Sequence, residues 1–213
     1  MKKKITCFCE NTFDAEIPEE VNLDNGNSLE EILNGSFLNF TCPGCGKKHK
    51  PEFPLMLNWP SKKIRFEVFP ELDKGEFYRR KKQPADFFSL KKNTLKLETV
   101  IGYPELADRL SVIKDGFEPE AVEAIKYFLH LKADEQYPED ELTIFYFGHS
   151  EDTLEFHIHG IRENEVAVMK VPHSLYEKTL GDFKKNPKSE IFTALRVRSY
   201  LSVKNTMRPE QFM

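Results

Sequence analysis

No run of apolar side chains in this sequence approaches the length that crosses a bilayer, which argues against an integral membrane protein. Glycine-rich phosphate loops, a His-Glu-x-x-His helix and a nucleophile elbow are all missing. Their absence removes the sequence marks of nucleotide, metalloprotease and hydrolase chemistry. Internal repeats and low-complexity tracts are missing too. A large excess of one charge is also lacking. The formal net charge is -4, which gives no global drive toward nucleic acid or an anionic membrane. Cysteine is scarce, with four in 213 residues.

Those four cysteines are grouped. They form two close pairs, Cys7-Phe8-Cys9 and Cys42-Pro43-Gly44-Cys45-Gly46. Two pairs separated by a few dozen residues suit a tetrahedral Zn²⁺ site of the ribbon type. Pro43 fixes φ and pre-sets a tight turn. Gly46 can take the positive φ that points backbone amides at the sulfurs. The first pair is one residue shorter and lacks both the proline and the glycine, since Glu10 and Asn11 come next. A closed set of four thiolates is structural, with no open position for water. A redox dithiol is the rival reading, but Gly46-Lys47-Lys48-His49-Lys50-Pro51 is a poor helix start. His49 is a candidate to replace one cysteine, although a histidine on a charged loop is more often a surface residue.

The start, Met1-Lys2-Lys3-Lys4, has the charge of a signal peptide without the apolar stretch that follows one. The expectation is a soluble cytoplasmic protein, where paired cysteines bind metal more often than they form structural disulfides. Length is sufficient for a core without staples. Eighteen phenylalanines predict an aromatic interior. Residues 1–100 carry 17 basic and 15 acidic side chains, net +2. Residues 101–213 carry 14 and 20, net -6.

Patterning predicts an α+β fold. Residues 1–70 read as a zinc-ribbon-like module built into a small antiparallel sheet. Ile5–Cys9 is expected to be a strand, and Phe13, Ala15 and Ile17 alternate as a second. Ser28-Leu29-Glu30-Glu31 reads as a capping box opening a short helix that stops at Gly35. Phe37–Thr41 reads as a strand into the second cysteine pair. Leu55–Trp59 and Ile64–Phe69 form a hairpin around Pro60-Ser61-Lys62-Lys63. Residues 71–93 are a charged loop or linker. Residues 94–213 form an α+β part that can share one core with the first. It holds a strand at Leu95–Ile101, a short helix from Pro104 to Leu110, and a longer one from Pro119 with Val122, Ile125, Phe128 and Leu129 on its apolar stripe. A three-strand meander follows over Leu142–Phe147, Thr153–Ile161 and Glu165–Val171. A helix at Ser174–Phe183, an apolar run over Ile191–Val203 and a loosely held tail complete the chain.

The cysteine pairs flanking a short helix, together with Asp108-Arg109-Leu110-Ser111-Val112-Ile113-Lys114-Asp115-Gly116-Phe117, resemble the CpXC family of bacterial and archaeal proteins. That family is named for two Cys-Pro-x-Cys motifs. Cys42-Pro43-Gly44-Cys45 matches the motif and Cys7-Phe8-Cys9 departs from it. The resemblance covers roughly the first 130 residues by analogy of pattern. It implies a zinc-ribbon-like module and brings no known activity.

Other candidates are weaker. His157 and His159 share a strand face with His149 nearby, an arrangement that can hold a metal but more often faces solvent. Phe77-Tyr78-Arg79-Arg80-Lys81-Lys82 interleaves aromatics with basic residues, and Lys47 and Lys48 lie beside the second cysteine pair. Lys47, Lys48, Arg79, Arg80, Lys81 and Lys82 are therefore candidate nucleic-acid contacts, against the reading of a solvated loop in an acidic chain. The preferred function is a non-enzymatic cytoplasmic interaction module. In that reading a structural Zn²⁺ on Cys7, Cys9, Cys42 and Cys45 organises the surface for a protein partner. The alternatives are nucleic-acid binding, an enzyme pocket in the second half, and thiol redox chemistry. Strand edges also permit a homodimer.

Overall fold

The computed structural model describes residues 1–79, 95–137 and 142–206. The fold is mixed α and β, and the chain divides into two compact units, residues 1–107 and 108–213.

The first unit opens with an antiparallel hairpin, Lys2–Thr6 (β1) and Thr12–Glu16 (β2), with Ile5 opposite Phe13 and Thr6 opposite Thr12. Ala15 and Ile17 are buried while Asp14 and Glu16 face solvent, which follows the two-residue period of the sequence. A short strand Glu20–Asn22 (β3) follows, then helix Ser28–Leu33 (α1). The expected capping box does not form. Asn27 occupies the cap position, Ser28 is already helical, and no side chain caps the amides. Gly35 ends the helix with φ +71°, as its sequence position predicts.

Phe40–Thr41 (β4) and Lys48–His49 (β5) form a second, very short hairpin. The strand expected from Phe37 covers only Phe40 and Thr41. Leu55–Trp59 (β6) and Ile64–Phe69 (β7) pair antiparallel around the turn at residues 60–63, as the sequence predicts. Residues 71–79, expected as linker, instead make a 3₁₀ turn, Glu71–Asp73, and helix Lys74–Arg79 (α2), whose Phe77 is buried against Phe69. Arg80, Lys81, Lys82 and the rest of that segment through residue 93 lie outside the described residues. So does most of the expected tail.

Strand Lys96–Ile101 (β8) runs parallel to β7, and β3 runs parallel to β6. Within this unit the order is β8, β7, β6, β3, so this sheet is mixed, while the β1–β2 and β4–β5 hairpins are the small antiparallel sheets that the sequence predicts. Parallel neighbours require crossovers of a dozen residues or more, and both connections have that length. The β3-to-β6 crossover contains α1 and the β4–β5 hairpin, which is how the second cysteine pair is delivered. Its exit is tied down by Glu52, whose carboxylate accepts from the amides of Tyr103 at 2.6 Å and Glu71 at 2.8 Å. Leu57, Phe66, Val68 and Val100 form the centre of the unit's core, each at 1% exposure or less.

Helix Tyr103–Lys114 (α3) contains the division between the units. It runs a full turn beyond the expected end at Leu110. The second unit continues with helix Pro119–Asp134 (α4), whose first-turn proline is pre-organised for that place. Strands Thr143–His149 (β9), Thr153–His159 (β10) and Ala167–Pro172 (β11) form the expected antiparallel meander, with a bulge between Glu155 and Phe156. Helices His173–Lys185 (α5) and Glu190–Ala194 (α6) follow, then the small hairpin Arg196–Val197 (β12) and Tyr200–Leu201 (β13). Val122, Ile125, Leu129 and Ala133 pack α4 on the inner face of the meander, against Tyr146, Leu154, Phe156 and Val171. Phe128, expected in that stripe, is half exposed. Helical spacing from 122, 125 and 129 continues to 133 and leaves 128 on the flank.

Another face of α4 buries charge. Lys126 donates to Asp108 and to Glu123, Arg109 lies 3.4 Å from Glu123, and Glu123 also accepts from the Val203 amide at 2.8 Å. Arg109 donates to the Leu201 carbonyl at 2.7 Å, and Asp108 accepts from the Tyr146 amide at 2.6 Å. These contacts tie α3, α4, β9 and β13 together. Burial pushes the Glu123 carboxyl up, yet Lys126 and Arg109 outweigh it and hold the group below its ordinary range.

Candidate metal centre

Each cysteine pair sits at the tip of a hairpin. β1 ends at Thr6, so Cys7 belongs to the turn and not to the expected strand Ile5–Cys9. The Cys7 amide donates to Asn11 O and the Glu10 amide to Cys7 O, both at 2.9 Å. In the second hairpin the Cys42 amide donates to Lys47 O and the Gly46 amide to Cys42 O, again at 2.9 Å. The two turns thus share one hydrogen-bond plan. The first closes it in one residue fewer, as its shorter spacing demands.

The plan brings the four sulfurs together. All four Sγ atoms lie within 4.8 Å of one another. Cys7 and Cys45 are 3.6 Å apart and Cys9 and Cys42 3.7 Å apart, all as free thiols. Four thiolates around one ion at about 2.3 Å make a tetrahedron with edges of about 3.8 Å. The donor set therefore fits a single ion held by two turns. Among the described residues this is the one group of three or more histidine, cysteine and carboxylate side chains with such spacing. Cys7 and Cys42 are buried; Cys9 and Cys45 are exposed.

Neighbouring groups orient the sulfurs. The Asn11 amide lies 3.6 Å from Cys42 Sγ as a donor. Gly44 makes room for it: a Cβ there would come within 3.2 Å of Asn11 Cβ. His49 Nε2 lies 3.2 Å from Cys7 Sγ, and its ring contacts Phe8 and Phe13. His49 is thus neither a loose surface residue nor a member of the four-sulfur group; it supports one ligand from β5. Asn11 is the site residue that spacing did not single out, and His49, a candidate to replace one cysteine, instead contacts Cys7 from outside the four-sulfur group. The one available signal was position, since each falls just past a cysteine turn.

The thiols are electrostatically unequal. Burial pushes the Cys42 thiol up, but the Asn11 amide, the N–H groups of Cys45 and Gly44, and Cys9 outweigh it and lower the pKa to about 6. For Cys45 the Lys47 amide lowers the pKa, yet Cys9, Cys7 and Cys42 compete for its proton and raise it to about 12. A cation bound to these sulfurs would displace that shared proton, which is the usual linkage between metal binding and thiol ionisation.

The other sequence candidates are not members of the four-sulfur group. Lys47 places its ammonium 4.5 Å above the Phe8 ring, and Lys48 is exposed in β5. Arg79 ends α2, while Arg80, Lys81 and Lys82 fall outside the described residues. His157 stacks on Phe147 at 3.9 Å and bonds Glu155 at 3.0 Å, His159 lies against Phe145, and His149 against Phe117. These histidines form ring contacts and no metal group. No helix among the described residues is long and apolar enough to cross a membrane.

An uncharacterized protein of Treponema pallidum (strain Nichols) is 31% identical over 217 residues, which span 95% of this chain and 97% of the relative. No solved structure matches the chain. The family described as CpXC protein matches residues 5–126, more than half of the chain and all four cysteines, so the protein belongs to the CpXC family.

Proposed function

We propose that the chain is a zinc-ribbon-like interaction module acting in the cytoplasm, with one structural Zn²⁺ on Cys7, Cys9, Cys42 and Cys45. The observation that carries this is the sulfur spacing of 3.6 and 3.7 Å, close to the edge of a zinc–thiolate tetrahedron. When bound, the ion cross-links the β1–β2 and β4–β5 hairpins, each too small to be stable alone. The role is non-enzymatic: four protein ligands leave no position for water or substrate. The same turns present a surface. Phe8 is 87% exposed at the tip, with Lys47 over its ring, and Lys48 is exposed in β5. An exposed aromatic on a rigid base suits an anchor for a protein partner.

The test is substitution of the ligands. Cys42→Ser is expected to abolish zinc retention and to remove the cooperative melting of the N-terminal unit, since structural zinc contributes on the order of 10 kcal/mol in such modules. An unchanged melt with unchanged zinc content contradicts the proposal. A second reading, single-stranded nucleic acid, is favoured by one feature, the pairing of exposed Phe8 with Lys47. It requires affinity that falls steeply with salt and depends on Lys47 and Lys48.

A further inference from the structure

We propose that the cysteine cluster is also an oxidation site, which closes as two disulfides between the turns, Cys7–Cys45 and Cys9–Cys42. Each turn offers one exposed cysteine, Cys9 in the first and Cys45 in the second. The sulfur of each lies close to that of a buried cysteine from the opposite turn, at 3.6 Å for Cys45 and Cys7 and 3.7 Å for Cys9 and Cys42. Closing either pair to bonding distance needs an approach of about 1.6 Å. Pairing inside the first turn would close a ring over the single residue Phe8, in a turn already pinned by the Glu10 amide on Cys7 O.

The chemistry is that of a peroxide. The thiolate of one member of a pair attacks one peroxide oxygen, forming a sulfenic acid and releasing hydroxide. The facing thiol from the other turn then attacks the sulfenic sulfur, forms the S–S bond and expels hydroxide, which leaves as water with the thiol's proton. Each pair thus gives up two electrons to one peroxide, and two thiols plus one peroxide yield one disulfide and two waters. A dithiol reductant reverses the step by exchange. This differs from a dithiol motif opening a helix, because Cys42-Pro43-Gly44-Cys45 lies between β4 and β5 with no helix behind it. The reaction requires no metal and so goes beyond the zinc reading. With an ion bound, oxidation of all four ligands would release it.

The experiment is disulfide mapping of the full chain after stoichiometric hydrogen peroxide, with and without prior chelation. Cleavage after glutamate separates the peptide holding Cys7 and Cys9 from the one holding Cys42 and Cys45. The expected product is these two peptides joined, four hydrogens lighter than their sum. A second digest after Phe8 parts Cys7 from Cys9, and fragmentation then assigns Cys7 to Cys45 and Cys9 to Cys42. Separate peptides each two hydrogens lighter, the opposite cross-pairing, sulfinic products or unreacted thiols all overturn the inference. Zinc content is read independently. Metal-free protein that gives the joined peptides removes the zinc reading and keeps this one. Zinc-loaded protein that oxidises within each turn does the reverse.

Discussion

Glu10 and Gly46 occupy the same place in the two cysteine turns, with φ of +66° and +74°. Each donates its amide to the carbonyl of the first cysteine of its pair, at 2.9 Å. Gly46 adopts this left-handed conformation freely, whereas a glutamate does so against the clash of its Cβ with the backbone. The missing glycine of the first turn therefore changes the cost of the turn and leaves its shape intact.

Glu10→Gly is accordingly expected to stabilise the first unit by about 0.5–1 kcal/mol, the relief of strain exceeding the added freedom of the unfolded chain. Glu10→Val should destabilise it, since a β-branched side chain is poorly tolerated at positive φ. Urea unfolding of the full chain measures both. Destabilisation by the glycine variant contradicts the account.

The donors around the sulfurs should tune metal affinity without being ligands. His49→Ala and Asn11→Ala are each expected to weaken zinc binding about 10- to 100-fold, the range usual for groups that orient ligands. Competition against a chromophoric chelator reads this directly. Retention of full affinity by His49→Ala would show that its contact with Cys7 is incidental.

In the second unit, Lys126→Ala leaves the carboxylates of Asp108 and Glu123 buried without their shared cation. The expected loss is about 3–5 kcal/mol, because removing one member of a buried ion group leaves uncompensated charge. A loss below about 1 kcal/mol, within the range of exposed pairs, would contradict the burial of this group.

His130 gives the second unit an acid-sensitive component. It is 4% exposed, and burial, reinforced by Lys126 against the opposing pull of Asp134 and Glu123, lowers its pKa from 6.5 to about 4. The unfolded chain takes up the proton first, so this contribution is fully present above pH 6.5 and is lost as pH falls toward 4. It amounts to about 2–3 kcal/mol over that window. His130→Leu should flatten the dependence of stability on pH there; an unchanged slope would show that the ring is solvated.

Much of this was legible in the chain. The cysteine pairs, the β6–β7 hairpin, the proline-led α4 and the meander follow from spacing, turn residues and two-residue or helical periods, all of which are local. The parallel β3–β6 and β7–β8 pairings were not legible, because parallel neighbours meet across crossovers that leave no local mark. The burial of Glu123 and Lys126 was not legible either; only the packing of Asp108, Arg109 and Val203 around them reveals it. His49 followed the same pattern: its charged neighbours suggested a loop, while the two-residue strand β5 turns its ring toward Cys7.

The central claim is that four cysteines hold one zinc ion between two hairpin turns. Elemental analysis of protein purified without added metal, paired with a count of reactive thiols, tests it most directly. The account predicts about one zinc per chain with all four thiols protected until a chelator or denaturant is added. A folded chain without metal, with four thiols that react at once, would contradict it.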